Sequence, residues 1–220
     1  MTLLQRTVAD TRYVMTGFMT TVVGFVLVVA GVAAGLGSAA VFVGLPILAM
    51  TALLARRLAD TERGQLPEVL GRPVGRPEYA EAPIWAGWFR RTMTPLGTGQ
   101  AVLDILHAII SLPFAIVSFV LTTVWWAGTI AGLTFPLYGW ILADTVGVNA
   151  SLPALLGLSD SPTMFVLFNT GLGLAFAATL MPMVRIAALV RATLAQSLLT
   201  RPARKEAASV YAYPRQAVRA

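Results

Sequence analysis

Three long uncharged stretches dominate the pattern of hydrophobic and polar positions along the chain. No Asp, Glu, Lys or Arg occurs within 13–55, within 105–143 or within 161–184. A helix crosses the hydrocarbon core of a bilayer with about 20 apolar residues, and each stretch reaches that length. The first stretch is long enough for two helices and is interrupted by the glycine-containing turn at 35–38. We therefore predict an all-α, polytopic membrane protein with four transmembrane helices, near residues 13–35, 38–55, 106–128 and 163–184.

The composition agrees with this class. Of the 220 residues, 57% are hydrophobic and only 12% are charged, whereas about a quarter of the residues in a soluble domain are charged. The competing interpretation of the first stretch is a secretory signal peptide, because VAAGLGSAA resembles a cleavage region of small residues. The first stretch is longer than the apolar core of a usual signal peptide, which favours a transmembrane helix.

The positive charges predict the orientation in the membrane. All 16 Lys and Arg residues lie before the first helix, between the second and third helices, or from Arg185 onward. The segment 129–162 carries only Asp144 and Asp160 as charges. Because basic loops stay in the cytoplasm, both termini are predicted to be cytoplasmic and 129–162 to lie outside. This topology accounts for the net charge of +6. No aromatic and basic residues alternate as in single-strand-binding proteins, so no nucleic-acid partner is expected.

The inner ends of the second and fourth helices carry similar sequences. Aligning Arg57 with Arg185 also aligns Arg63 with Arg191 without a gap. In the first and third helices, VVGFVLVV aligns with IVSFVLTT at an offset of 94 residues. The pattern predicts two copies of a helical hairpin, parallel to each other and related by an axis along the membrane normal. Chance similarity between apolar helices is the alternative, and it explains the aligned arginines less well than the aligned spans.

The repeat and the charge pattern divide the chain into four parts. These are the first hairpin with a cytoplasmic helix extension (1–73), a cytoplasmic linker with the interfacial amphipathic element WAGWFRR (74–102), the second hairpin with an apolar outer segment at 129–162 and its own cytoplasmic extension (103–202), and a basic disordered tail (203–220).

Small residues recur at regular spacing on the first and third helices. Glycines on the first helix are seven residues apart, and serines occupy the aligned positions on the third helix. Because small side chains let helix backbones approach closely in a membrane, we predict that these positions pack helices together. A ligand groove along the same face is the less favoured interpretation. The residues are Gly17, Gly24, Gly31, Gly35, Ser111 and Ser118.

Arginines are concentrated at the inner ends of the second and fourth helices. Both helices are predicted to continue into the cytoplasm with an apolar stripe at helical spacing. The arginines are predicted to contact lipid headgroups or a protein partner, either as snorkelling anchors or on helices that transmit a signal. The residues are Arg56, Arg57, Arg63, Arg185 and Arg191.

The sequence offers little catalytic chemistry. There is no cysteine, and the single histidine, His107, follows Asp104 by one helical turn. Such a pair can share a hydrogen bond and hold a proton, but a polar pair at the membrane interface is the simpler interpretation. No carboxylate lies deep in a predicted helix, and no nucleotide-binding, hydrolase or metalloprotease motif is present. We expect no catalytic residue, metal or cofactor.

Three motifs occur in a distinctive order: GLPILAMTALLARRLADTER, then PFAIVSFVLTTVW, then VRIAALVRATLAQSLL. In this order and spacing they resemble the sensor domain of actinobacterial two-component histidine kinases, over about residues 10–202. The residues that carry the resemblance are Gly44, Leu45, Pro46, Arg56, Ala59, Glu62, Arg63, Pro113, Ser118, Phe119 and Trp125.

The resemblance implies a multi-pass protein of a bacterial plasma membrane that detects an envelope or lipid-phase signal. Only residues 203–220 follow the resembling region, which leaves no room for a kinase. We therefore expect a stand-alone, non-enzymatic sensor module that contacts membrane lipids and relays its signal to a separate protein partner. The alternative is an accessory or assembly subunit of a larger transporter or respiratory complex, and a small-molecule transporter is a distant third. The sequence leaves self-association open.

Overall fold

The computed structural model describes residues 2–38, 43–75, 99–148, 152–157 and 161–200, with isolated positions at 77, 85, 87, 90 and 94. These residues form helices and connecting segments, with no strand among them, which confirms the predicted all-α class. The helices are α1 (Leu3–Gly37), α2 (Gly44–Leu70), α3 (Gly99–Val146), α4 (Leu152–Leu155) and α5 (Pro162–Leu199).

Three of the described helices, α1, α3 and α5, are long and apolar enough to cross a membrane. The protein is therefore a multi-pass membrane protein. The second predicted span does not reach this length within α2, because only residues 44–55 precede Arg56 in that helix. At 1.5 Å per residue this part covers about 18 Å, against a hydrocarbon core of about 30 Å. The rest of that predicted span includes residues 39–42, which lie outside the described residues.

Local sequence explains where α5 begins and where α2 ends. The Ser161 hydroxyl accepts a hydrogen bond from the Met164 amide at 3.2 Å, and Pro162 occupies the first helical position, where its missing N–H costs nothing. At the C-terminal end of α2, Gly71 adopts a left-handed conformation with φ of 69°, and its amide donates to the Pro67 carbonyl at 3.0 Å. This glycine cap ends the predicted cytoplasmic extension of α2.

Most of the predicted outer segment 129–162 is helical and does not form a loop. Residues 129–146 belong to α3, and α4 and the start of α5 follow within the same segment. The uncharged run continues to residue 143, so no charged or turn-forming sequence stops the helix at the predicted end of the third span. Most of the interfacial element 85–91 and the whole tail 203–220 lie outside the described residues.

Internal contacts divide the chain into two compact units. Unit 1 contains residues 1–18 and 113–191, and unit 2 contains residues 19–112 and 192–220. Each unit therefore combines part of α1, part of α3 and part of α5.

In unit 1, α3 and α5 pack with almost no side chain between them at one point. A Cβ atom added to Gly132 or to Gly173 would overlap the backbone of the other helix. Farther along, the Ser118 hydroxyl donates to the Ala187 carbonyl at 3.0 Å. Because one residue number falls as the other rises, α3 and α5 are antiparallel.

The first segment of α1 also packs against α3 in unit 1. The Trp126 indole donates to the Thr11 hydroxyl at 3.1 Å, and the rings of Phe18 and Phe119 stack with centroids 4.2 Å apart. One residue number rises as the other falls, so this part of α1 and α3 are antiparallel. The predicted parallel hairpins require the first and third helices to be parallel, and the structure differs from that prediction here.

In unit 2, α1 and α2 form an antiparallel pair held together at glycines. A Cβ atom at Gly24, Gly31 or Gly35 would overlap Leu58, Thr51 or Leu48 of α2, respectively. The buried side chains of Val28, Ala55 and Ala108 bring α1, α2 and α3 into one small hydrophobic core. Small residues thus set the helix spacing that positions the polar residues of this unit.

Candidate functional site

Arg63 of α2 joins three helices in unit 2. Its Nη2 donates to Asp104 Oδ1 of α3 at 2.6 Å, and its Nε donates to the Leu199 carbonyl of α5 at 2.8 Å. Its Nη1 donates to Asp60 Oδ1 at 2.6 Å within α2. Arg63 is 4% exposed and Asp104 is fully buried. One guanidinium therefore connects α2, the start of α3 and the end of α5.

The end of α5 needs such partners. The last four carbonyl groups of a helix receive no hydrogen bond from an N–H group of the same helix. They also carry the negative end of the helix dipole. Arg63 donates a hydrogen bond to the Leu199 carbonyl, and the Gln100 side-chain nitrogen lies 3.4 Å from the Leu198 carbonyl oxygen. Gln100 also donates to Asp104 at 3.1 Å. We call Arg63, Asp104, Gln100 and these carbonyls the α5 tether.

The energetics of the tether depend on both partners being present. A buried ion pair gains little over a well-packed apolar pair, but removal of one partner leaves an uncompensated buried charge and costs about 3–5 kcal/mol. The Asp60 side chain is about half exposed, at 52%, so its contact with Arg63 contributes at most about 1 kcal/mol. Asp104 is therefore the partner that fixes the Arg63 guanidinium.

A cavity of about 80 Å³ lies beside the tether in unit 2, between α1, α2 and α3. Its polar wall includes Glu62, Asp104, His107, Ser111 and Gln65. Glu62, Asp104, His107 and Ser111 are all buried. The structure therefore places the predicted pair Asp104 and His107 on the wall of a cavity rather than at an isolated position on one helix.

In unit 1, a second buried aspartate has a corresponding arrangement. Asp10 of α1 is 2% exposed, and the Arg185 Nη1 donates to its two carboxylate oxygens at 2.9 and 3.2 Å. Arg191 is 1% exposed, and its guanidinium lies 5.0 Å from the centroid of the Tyr13 ring. The space above Gly17 is filled by the same guanidinium.

The five predicted arginines thus separate into two groups. Arg57 is exposed and Arg56 is partly exposed, which leaves these two accessible to headgroups or to a partner. Arg185 is partly exposed, and its guanidinium binds Asp10. Arg63 and Arg191 are buried, so their guanidinium groups contact the protein's own residues. The sequence prediction that these two contact lipid or a partner differs from the structure. On α2, Arg63 shares the buried side with Leu66 and Val69, whereas on α5 the apolar residues Ile186 and Val190 are exposed although Arg191 is buried.

The predicted small residues lie at close helix contacts. Gly17 faces Arg191, whereas Gly24, Gly31 and Gly35 face α2. Ser118 is buried and bonds to α5, and Ser111 is buried on the cavity wall.

Sequence reasoning missed Asp10, Gln100 and the pair Gly132 and Gly173. Asp10 and Asp104 are 94 residues apart, the same offset that aligns the first and third helices, so the repeat itself contained this signal. Gly128 and Gly132 form a GxxxG motif, a pattern typical of close helix packing in membranes. Gln100 had no comparable signal, because its role depends on the position of α5.

The described residues do not bring three or more of His, Asp and Glu together in a group that could hold a metal ion. The polar groups of the cavity and the tether can form ion pairs and hydrogen bonds and can exchange partners.

A scan against protein families matches residues 13–199 to the family described as Putative sensor. The chain belongs to this family. The match includes α2, α3, every residue of the α5 tether and all the residues that line the cavity. No curated protein and no solved structure matches the chain. Membership in the Putative sensor family supports a sensor-like membrane protein, and the family description names no signal and no partner.

Proposed function

We propose that the chain is a non-enzymatic membrane sensor-like protein, which detects an envelope or lipid-phase condition and relays it to a separate protein partner. The observation that carries this proposal is the α5 tether. Arg63 connects Asp104, near the start of an apolar helix, with Leu199, at the end of α5. A change in the packing of α2 or α3 therefore changes the hydrogen bonds at the last carbonyl groups of α5, where the C-terminal segment begins.

The proposed relay is a shift between two arrangements of α5. A signal can move such an equilibrium only by favouring one arrangement over the other. In the tethered arrangement, Arg63 and Gln100 bind the carbonyls of Leu199 and Leu198. In the released arrangement, these carbonyls are accessible to a partner.

We place the protein in a bacterial plasma membrane with both termini in the cytoplasm. The basic segments support this topology, and two ion pairs join predicted inner ends to each other. Asp10, at the start of α1, pairs with Arg185, and Arg63 pairs with Asp104. The contact of Trp126 with Thr11 is at odds with it, because it joins a predicted outer end to a predicted inner end. Both termini share one side only if the chain crosses the membrane an even number of times.

The paired aspartates also support an origin by duplication. Asp10 and Asp104 occupy aligned positions, and each pairs with an arginine of the other predicted hairpin. The aligned arginines Arg63 and Arg191 are both buried. Arg63 binds the Asp104 carboxylate, and Arg191 lies over the Tyr13 ring.

Arg57 and Arg56 remain the best candidates for contact with anionic headgroups or with the partner. They lie on the exposed and partly exposed sides of α2, six to seven residues before the buried Arg63. Each basic side chain near an anionic surface contributes about 1 kcal/mol of attraction. Such contacts would hold α2 at a fixed depth while the tether responds to the signal.

The function is tested by crosslinking in intact cells, purification in mild detergent and identification of bound proteins by mass spectrometry. We expect a kinase, a regulator or a stress-response component whose recovery depends on growth conditions. A constant set of transporter or respiratory subunits in fixed stoichiometry would contradict the sensor proposal and support an accessory subunit. Transport by the purified protein in liposomes would contradict both.

Two variants test the relay itself. Arg63→Gln removes the guanidinium from the tether, and Gln196→Ala removes the 2.9 Å hydrogen bond that Arg72 donates to the exposed part of α5. Helicity and membrane insertion are measured first for both. We expect each correctly inserted variant to change the amount of crosslinked partner, with the larger change for Arg63→Gln. Unchanged partner recovery in both inserted variants would exclude a relay through the end of α5.

A further inference from the structure

His107 is the single histidine of the chain, and the structure places it on the wall of the unit 2 cavity. Its side chain is buried. Imidazole is the group whose charge ordinarily changes between pH 5 and 8. A neutral imidazole carries one N–H donor and one acceptor nitrogen, and it takes up a proton on its own ring. Unlike a larger ligand, a proton therefore needs no unoccupied partner on the cavity wall.

The cavity gives protons a path to this imidazole. Its volume is about 80 Å³, whereas a bound water needs about 10–15 Å³ of such space. Thr20 of α1 and Thr61 of α2 line the cavity and are exposed, so the cavity reaches the surface of unit 2. Several waters therefore fit between these two hydroxyl groups and His107.

The charged groups that face His107 come from two helices. Asp104 precedes it by one helical turn on α3, and Glu62 reaches the same wall from α2. No lysine or arginine lines the cavity, and α5 contributes no lining residue. The lining residues of α1 are not ionisable, and they are Thr20, Thr21, Gly24 and Phe25. Protonation of His107 therefore adds a positive charge to a cluster in which Arg63 already binds Asp104.

Asp104 connects this cluster to the α5 tether. Its Oδ1 accepts hydrogen bonds from Arg63 at 2.6 Å and from Gln100 at 3.1 Å. The same two side chains contact the carbonyls of Leu199 and Leu198. An imidazolium one turn away competes with the guanidinium for this carboxylate and repels the guanidinium. Both effects are stronger at a buried site than in water, because the interaction between charges grows as the dielectric constant falls.

We propose that His107 is a proton switch, whose protonation weakens the hold of Asp104 on Arg63 and thereby loosens the α5 tether. With a neutral imidazole, the ion pair of Arg63 and Asp104 is the one in the structure. As the pH falls, the equilibrium moves toward the released arrangement, because this arrangement accommodates the additional positive charge more readily. The inference deepens the proposed sensing function, on which its biological meaning rests, because it names the proton as the signal.

The titration is measured by nuclear magnetic resonance on the purified full-length chain in detergent. The protein is labelled with ¹⁵N-histidine and isolated with an affinity tag that contains no histidine. Because His107 is the single histidine, its two ring nitrogens give one pair of signals. We expect one reversible titration step between pH 5 and 8. Nitrogen chemical shifts that stay constant over this range would overturn the proposal.

The response of the tether is measured with a spin label at the end of α5. Because the protein has no cysteine, Thr200→Cys creates a single attachment site next to Leu199. We expect the label to become more mobile as the pH falls from 8 to 5, with the same midpoint as the His107 titration. In Arg63→Gln, which lacks the tether, the label should be mobile at both pH values. Mobility that is independent of pH in the otherwise unchanged chain would also overturn the proposal.

Two matched variants assign the response to one imidazole, after their helicity and membrane insertion have been checked. His107→Gln keeps a side chain that donates and accepts hydrogen bonds but does not titrate. Glu68→Gln removes an ionisable group at an exposed position of α2 that does not line the cavity. We expect the pH dependence of label mobility to disappear in His107→Gln and to persist in Glu68→Gln. Persistence in His107→Gln would assign the response to other groups and contradict the switch.

The outcome separates this inference from the proposed function. Titration of His107 and release of the tether, without any effect of pH on partner crosslinking, would retain the switch and refute its role in sensing. A condition-dependent partner in a chain whose histidine does not titrate would retain the sensor and refute the proton as its signal.

Discussion

Replacement of Gly173 by alanine tests whether α3 and α5 are held together by direct backbone contact. A Cβ atom at Gly173 would lie 2.5 Å from the carbonyl carbon of Gly132 and 2.9 Å from the Leu133 amide nitrogen. Unbonded carbon atoms prefer separations of about 3.5–4.0 Å. Because the opposing atoms belong to a backbone, they cannot turn aside, and the two helices must separate by about 1 Å.

The matched control is Gly171→Ala, two residues earlier on the same helix, where a new Cβ meets no atom within 4 Å. Both substitutions gain up to about 1 kcal/mol of helix propensity. Overpacking of a close contact costs about 1–3 kcal/mol. The difference between the two variants therefore isolates the packing cost, and we expect Gly173→Ala to be the less stable variant by about 1–3 kcal/mol.

The measurement is unfolding of the purified protein by sodium dodecyl sulfate in mixed micelles, followed by circular dichroism. Fluorescence of Trp125, whose indole donates to Thr179 of α5 at 3.0 Å, reports separation of α3 from α5 independently. Equal stabilities for the two alanine variants would refute the close approach of α3 and α5 at Gly132.

Three further predictions follow from the structure. Asp104→Asn leaves the buried Arg63 without its main counter-charge and should lower the free energy of unfolding by about 3–5 kcal/mol, whereas Asp60→Asn should lower it by no more than about 1 kcal/mol; equal losses would contradict the assigned roles. Gly64→Ala, which fits without a contact within 4 Å, should stabilise α2 by about 0.5–1 kcal/mol, and destabilisation in the same micelle assay would count against the exposed position. Leu3→Cys places a thiol at an exposed position of α1. If the N-terminus is cytoplasmic, an impermeant maleimide should label this thiol only after cells are permeabilised, and labelling in intact cells would show that the N-terminus lies outside.

Particular residues show how far sequence reasoning reached. The uncharged runs predicted the all-α membrane class, and the glycine turn at 35–38 predicted the end of α1 at Gly37. The paired charges of Arg63 and Arg191 were visible as a repeated pattern, but their burial was not. An arginine that follows an apolar span has the same local sequence whether it points to headgroups or into a packed helix interface.

The candidate site depended still more on tertiary structure. Asp104 and His107 were recognised as a polar pair on one helix, because a spacing of three residues places them on one face. Glu62 on α2 and Thr21 on α1 line the same cavity as this pair but are far away in sequence. No local pattern indicates that these side chains line one cavity.

The sequence by itself determined that this protein consists of long apolar helices in a membrane, because the hydrophobic effect and the backbone's need for internal hydrogen bonds act on each segment separately. It also determined the motifs that place the chain in its family. Only the tertiary structure decided that Arg63 binds Asp104 and the end of α5, and that a polar cavity lies beside this tether. The distinction arises because the cost of a buried charge is decided by its neighbours, and these neighbours come from helices that are distant along the chain.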